Sequence, residues 1–418
     1  MKLRSVVAMI LAVVMLLACA SFAEGAKTKV TIWHTFTQDQ EAYLVKAAAD
    51  FTASQDKYEV EVLSQAYSGF TDNVKNAVKN GVGPDIIFNY ASEAAEYVDL
   101  GLVADLSQYI YDEETGIEGF DGSLAQGVMD GEVNGFSDGL IHYLPAYTTG
   151  PILFYNKTMY DELGLSVPAN WDEMVENCKV IKEAKNIPGL GFDSLTDCIQ
   201  MFIMEEGCGY IDVENKCVTF NTDAMKAKIQ WLVDCVNAGY FTIASSGDYF
   251  STDFNSGIVA TYVGSCAGYP YIEPDGFEFG MAAMPATNWY PSWNRGPIAF
   301  YYNDDARAEG TYEFIKYFIS AEVNLGWVKA VNALAPYSWT QALDEYKAYV
   351  SEDTPAVQAL NAVGAHLDIA GSLPAVTGAS TVRTAIVNAV KNVVNNGMTV
   401  EDAWNECEIL CNAALKGE

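Results

Sequence analysis

Between residues 30 and 88 the chain alternates strand, helix, strand, helix, strand, and few folds accept that order. Val30, Thr31, Ile32 and Trp33 form a short β-rich run. Thr37 with Gln40 three residues later makes a capping box, and Leu44, Ala48 and Phe51 recur at helical spacing behind it. Residues 58–62 alternate as a half-buried strand does. Phe70, Val74, Ala77 and Val78 mark a second helix that Gly81 ends. Gly83-Pro84-Asp85 then turns into the fully apolar Ile86-Ile87-Phe88. Strands alternating with helices in this way imply a parallel α/β sheet, whose ligands collect beyond the carboxyl ends of its strands. Here those ends are residues 33–35, 67–70 and 89–93.

A chain of 418 residues with this mixed pattern exceeds one ordinary core, so at least two lobes are expected. Residues 144–157 read as a crossing between lobes. Tyr147, Thr148 and Thr149, flanked by Pro145 and Pro151, offer a ring and two hydroxyls. They run into Ile152-Leu153-Phe154-Tyr155, an apolar run suited to a strand covered on both faces. The ordinary alternative is a loop before a core strand. No tandem repeat or low-complexity run interrupts the chain.

Lys2 and Arg4 precede an apolar stretch over residues 6–20, short of the ~20 residues of a membrane span, so the start reads as a secretory signal. Leu16-Leu17-Ala18-Cys19 resembles a lipobox and would leave Cys19 as a lipid-carrying N-terminus after loss of residues 1–19. Ser21-Phe22-Ala23 offers ordinary signal-peptidase cleavage instead. The lipobox reading is preferred, with Leu17 its weak point. The expected location is the outer face of the cytoplasmic membrane, or the periplasm.

The formal charge of −32 would repel nucleic-acid phosphates and suits a solvated, exported surface. Besides Cys19 there are eight cysteines. Cys208 and Cys217 flank a predicted hairpin and are the best-placed pair for a disulfide; Cys407 and Cys411, one helical turn apart, could not bridge without distortion. No Cys-x-x-Cys spacing occurs and His34, His142 and His366 are scattered, so no metal is expected, and no cofactor either. Nucleophile elbows, His-Glu-x-x-His helices and P-loops are absent. Counting carboxylates leaves a glycosidase pair open, so a secreted glycoside hydrolase is the enzymatic alternative.

Several pieces, in order, resemble the extracellular solute-binding proteins, family 1, which serve ABC importers and mostly carry sugars. They are the opening strand ending Trp33-His34, Gly83-Pro84-Asp85, residues 100–106, the crossing that ends Tyr155-Asn156-Lys157, and Pro168-Ala169-Asn170-Trp171-Asp172-Glu173. Late in the chain Phe314-Ile315-Lys316-Tyr317-Phe318-Ile319 before Ser320-Ala321-Glu322, and Val400-Glu401-Asp402-Ala403 after Gly397, continue the set. The resemblance implies a two-lobed periplasmic-binding-protein-like α/β fold with a hinge and an interlobe cleft. By that analogy the first lobe holds 28–140 plus 298–338 and the second 141–297 plus 339–418, with crossings near 138–146 and 290–298. It further implies a monomer that is not an enzyme, captures a small-molecule carbohydrate by hinge closure, and presents it to the importer's membrane subunits.

A sugar site needs rings over apolar C–H faces and polar groups for the hydroxyls. Trp289, Tyr290 and Trp293 fall within five residues of a Pro/Gly-rich crossing, and of these Trp289 and Trp293 are the candidates; a hydrophobic plug over the hinge is the alternative. Trp33, Phe70 and Tyr90 stand at or past strand ends, and Tyr147 stands on the crossing. The polar candidates are Thr35, Thr37, Ser92, Glu93, Thr148, Thr149, Asp193, Ser265 and Arg295, where Thr37 has a capping alternative and Arg295 a salt-bridge one. Where the family often has Gly-aromatic-Leu-Pro, this chain has Ala333-Leu334-Ala335-Pro336, so no ring stacks at Leu334. Relatives that take glycerol-phosphate compounds bring a late basic residue to the phosphate. Between Val363 and Val382 only His366 is available here, which favours a neutral carbohydrate over a glycerophosphodiester. A polyamine, held by aromatic and acidic groups, is a third option.

Overall fold

A computed structural model describes residues 27–243 and 250–418; the signal and lipobox, Cys19 included, lie outside the described residues. The described chain opens with β1 (Thr28–His34), α1 (Gln38–Ser54), β2 (Tyr58–Ser64), α2 (Phe70–Lys79), β3 (Ile86–Asn89) and α3 (Ala91–Val98). A single π-helical turn, Met129–Val133, precedes β4 (Tyr147–Thr149) and β5 (Pro151–Asn156). Then come α4 (Trp171–Lys185), β6 (Leu190–Phe192), α5 (Leu195–Glu205) and a hairpin of β7 (Ile211–Asp212) and β8 (Cys217–Val218). Next are α6 (Asp223–Asn237), β9 (Phe241–Ile243), β10 (Thr261–Ser265), β11 (Phe279–Ala282), β12 (Tyr290–Pro291) and β13 (Trp293–Ala299). The chain continues through α7 (Asp305–Phe318), α8 (Ala321–Val331), α9 (Pro355–Gly364), β14 (Ala370–Gly371), α10 (Ala379–Asn396) and α11 (Val400–Lys416).

Two open sheets organise these elements. The first has the order β2-β1-β3-β13-β4 and the second β11-β5-β10-β6-β9. In the first, β1 runs parallel to β2 and β3, as its helical connections require, whereas β13 returns antiparallel against both β3 and β4. Residues 147–149 are therefore a short strand, not a loop, and they couple directly to the returning crossing. In the second sheet β5 lies between β11 and β10, and Ile152, Leu153 and Phe154 are buried as a strand covered on both faces should be.

Thr37 occupies the N-cap position of α1 but makes no capping bond. Gln38 adopts a left-handed φ of 52°, and that kinked entry replaces the expected capping box. Asp85, only 1% exposed, fastens the first sheet. Its carboxylate accepts hydrogen bonds from the Thr31 N–H (2.7 Å) and hydroxyl (3.0 Å) and pairs with Arg307 of α7 at 2.7 Å. One side chain thus ties β1, the start of β3 and a covering helix together. Cys208 and Cys217 are both free, with the Cys208 sulfur 3.1 Å from the Thr222 hydroxyl; Cys407 and Cys411 lie 3.8 Å apart on α11, unbridged.

Candidate functional site between the lobes

A cavity of about 370 Å³ opens where the first sheet, the crossings and the helices of the second sheet converge. Tyr90 and Ser92 enter from the carboxyl end of β3, where Asn89 Oδ1 accepts the Tyr90 N–H at 3.0 Å and α3 begins. The crossing contributes Trp289, Pro291, Ser292 and Trp293. Alternation along β13 separates two roles: Trp293 faces the cavity while Asn294 is buried. Asn294 Oδ1 accepts from the Thr148 hydroxyl (2.6 Å), and its amide donates to Ser292 Oγ and Ser372 Oγ (3.1 Å each). Trp289 lies across Gly371, where any Cβ would overlap the indole nitrogen, so that wall needs glycine.

Helix α5 places Asp197 and Gln200 one turn apart on one buried face, as i,i+3 spacing dictates. Arg383 of α10 spans both, donating to Asp197 Oδ1 at 3.3 Å and Gln200 Oε1 at 2.9 Å. Trp293 Nε1 donates to the same Asp197 oxygen at 3.1 Å. The indole is therefore oriented by an ion pair, which leaves its ring face for apolar contact. Behind Tyr90, the Arg295 guanidinium stacks 5.8 Å from that ring and 5.5 Å from Phe36, and donates to the Phe88 carbonyl at 3.2 Å. No carboxylate pairs with Arg295 among the described residues.

Burial sets the protonation of the groups nearby. The Glu132 carboxyl, 6% exposed on the π-helical turn, is pushed up to about 8, with Ser372 and Asn294 pulling it partly back. Burial also raises the Tyr90 phenol, against the pull of Arg295 and Arg383, and pushes Tyr147 up to about 12.

Of the residues expected at the site, Tyr90, Ser92, Trp289 and Trp293 line this cavity. Tyr147 and Arg295 lie next to each other behind the wall, and Thr149 donates weakly to the Trp293 carbonyl at 3.4 Å. The rest lie elsewhere, each for a physical reason. Phe70 opens an amphipathic helix and is buried in the core with Val74 and Ile87; Trp33 packs against that cluster. Thr148 is buried and committed to Asn294. Thr37 is exposed at the entry of α1, and Thr35 is half-buried outside the cavity wall. Glu93 is half-buried on α3, away from the cavity wall, with its carboxyl raised by burial and the neighbouring Glu96. Asp193 accepts the Phe250 N–H, and burial raises its carboxyl to about 6. Ser265 accepts the Ala267 N–H at 3.2 Å and so caps the turn after β10.

Sequence reasoning missed Glu132, Asp197, Gln200, Tyr210, Ser372 and Arg383. Arg383 carried a usable signal, because it is a late basic residue directly after Val382. A late basic residue therefore does line the cavity, one position beyond the stretch from Val363 to Val382 in which His366 was the sole candidate.

Two lobes on separate sheets, with an aromatic and charged cavity at their crossings, define a two-lobed binding-protein fold. A family profile described as bacterial extracellular solute-binding protein matches residues 46–359, and the chain belongs to that family. It is 23% identical, over 81% of its length and 83% of the relative's, to the sn-glycerol-3-phosphate-binding periplasmic protein of Rhizobium meliloti. Among solved structures it is similar to the cyclic alpha-maltosyl-1,6-maltose binding protein from Arthrobacter globiformis, at a TM-score of 0.81 and 20% identity, covering 94% of this chain and 100% of that one. The sugar-binding protein MalE from Xanthomonas citri is similar at a TM-score of 0.77 and 17% identity, covering 93% and 98%.

Proposed function

We propose that the protein captures a neutral carbohydrate, an oligosaccharide, in the interlobe cavity and releases it unconverted to the membrane subunits of an ABC importer. The observation that carries this reading is the set of three rings, Trp289, Trp293 and Tyr90, around the Asp197–Arg383 pair. Rings cover the apolar faces of a sugar, and a carboxylate beside a guanidinium serves neighbouring hydroxyls as acceptor and donor. Because Asp197 already balances Arg383, this pair asks for no net ligand charge. Closure would be a hinge motion at β4 and β13, both of which pair into the first sheet although the sequence boundaries put residues 141–297 in the second lobe, with contacts from both lobes favouring the closed form. A monomer tethered through Cys19 completes the proposal.

A phosphorylated polyol is the second reading, favoured by Arg295, which lacks a carboxylate partner among the described residues, and by the ligand in the name of the Rhizobium relative. A thermal-shift screen separates these and the enzymatic alternative. Neutral oligosaccharides are expected to raise the melting temperature and to be recovered intact by chromatography. A shift with sn-glycerol 3-phosphate alone would select the second reading, and consumption of the sugar would overturn the transport role.

A further inference from the structure

Glu132 is the most deeply buried carboxylate on the cavity wall that no ion pair explains. Its Oε2 is sealed from solvent and has no hydrogen-bond partner among the described residues. The placement is built into the backbone: Gly131 lacks the Cβ that would collide with the Ser372 carbonyl, so the π-helical turn presses against residues 372 and 373. Single π-helical turns recur at functional sites because they re-aim one side chain. Here the turn brings Glu132 to the cavity alongside Ser372.

We propose that Glu132 is a further ligand-binding residue of this cavity, its carboxyl meeting a ligand hydroxyl as a hydrogen-bond donor. This rests on the carbohydrate reading above. A buried carboxyl whose hydrogen bonds are incomplete is costly, and a ligand hydroxyl that meets it at the cavity wall offsets part of that cost. Only the protonated acid can donate. Burial supplies that form at neutral pH by raising the carboxyl to about 8. Ser372 and Asn294 counter it only in part. Tyr90, Tyr143 and Tyr337 face it as phenols that are themselves raised by burial. Asp130 on the same turn accepts from Gln126 at 2.7 Å, and Asp197 and Arg383 across the cavity pair with each other. Ionisation above the raised value removes the donor, and a ligand hydroxyl whose own proton is engaged elsewhere then meets only lone pairs, so capture weakens as pH rises.

The test is calorimetry of the full protein with a panel of neutral gluco-, xylo- and manno-oligosaccharides at pH 6.5 and 9.5, with circular dichroism to confirm folding at each pH. Wild type is expected to lose affinity at least fivefold between the two. Glu132→Gln keeps a weaker donor and no charge, so it should bind severalfold more weakly at pH 6.5 and stay flat to pH 9.5. Glu132→Ala should bind more weakly still, also without pH dependence. A flat wild-type profile, or a Glu132→Gln profile that tracks wild type, overturns the role of Glu132 and leaves the carbohydrate reading standing. If no sugar in the panel binds wild type, the carbohydrate reading fails and this inference falls with it.

Discussion

Arg307→Ala is expected to lower the unfolding free energy by about 3 kcal/mol while leaving ligand affinity unchanged. Removing one partner of a buried ion pair strands the other, at a cost of roughly 3–5 kcal/mol. The low end applies because the Arg307 side chain is 31% exposed and water already shares its charge. Asp85 would keep its bonds from Thr31 but lose its counter-charge. The sign of the pH effect follows from its carboxyl, which burial raises above the usual value despite Arg307 and Thr31. A group raised in the folded state costs nothing below its unfolded pKa, and stability is lost as pH climbs through the folded value. The defect of Arg307→Ala should therefore shrink in acid, where Asp85 is neutral and needs no partner. Urea denaturation of both proteins at pH 7 and near pH 4 checks this. An equal defect at the two values would show that Arg307 acts through its packing over the Tyr302 ring, 4.9 Å away, and not through charge.

The second large effect concerns binding. Trp293→Ala is expected to weaken carbohydrate capture by about 1–3 kcal/mol, the scale of a lost buried aromatic contact, or roughly 5- to 150-fold. Folding should survive, because the backbone pairing of residue 293 with Thr149 does not need the ring. The loss should exceed that of Trp293→Phe, which keeps a stacking face but not the Nε1–H bond to Asp197. Titration calorimetry on the three proteins measures it, and equal affinities would remove Trp293 from the ligand surface.

The sheets were legible because periodicity is local. Residues 30–33, 58–62, 86–88 and 152–155 each sit inside an observed strand, since apolar alternation or an apolar run reports burial directly. Tyr90, Ser92, Trp289 and Trp293 could be proposed for the same reason: strand ends and an aromatic-rich crossing are readable one segment at a time. What could not be read was the company they keep. Asp197 and Arg383 are 186 residues apart and meet only because α5 and α10 pack together. Nothing local distinguishes Asp197 from the other carboxylates of so acidic a chain. Thr148 shows the converse, since a hydroxyl that looked available is taken by Asn294, 146 residues away. Ser265 misled because a short polar side chain at a strand end bonds the adjacent backbone as readily as a ligand, and Asp193 because the backbone N–H that it accepts lies 57 residues away. Glu132 depended on a π-helical turn that no apolar spacing announces.

A neutral carbohydrate in the cavity between the lobes makes binding insensitive to ionic strength. Calorimetry with the best oligosaccharide from the thermal screen should give nearly the same affinity at low and high salt, because a neutral ligand forms no ion pair for salt to screen. A tenfold loss at high salt, about 1.4 kcal/mol, would mean that Arg295 or Arg383 holds a charged ligand, and would rule out a neutral one.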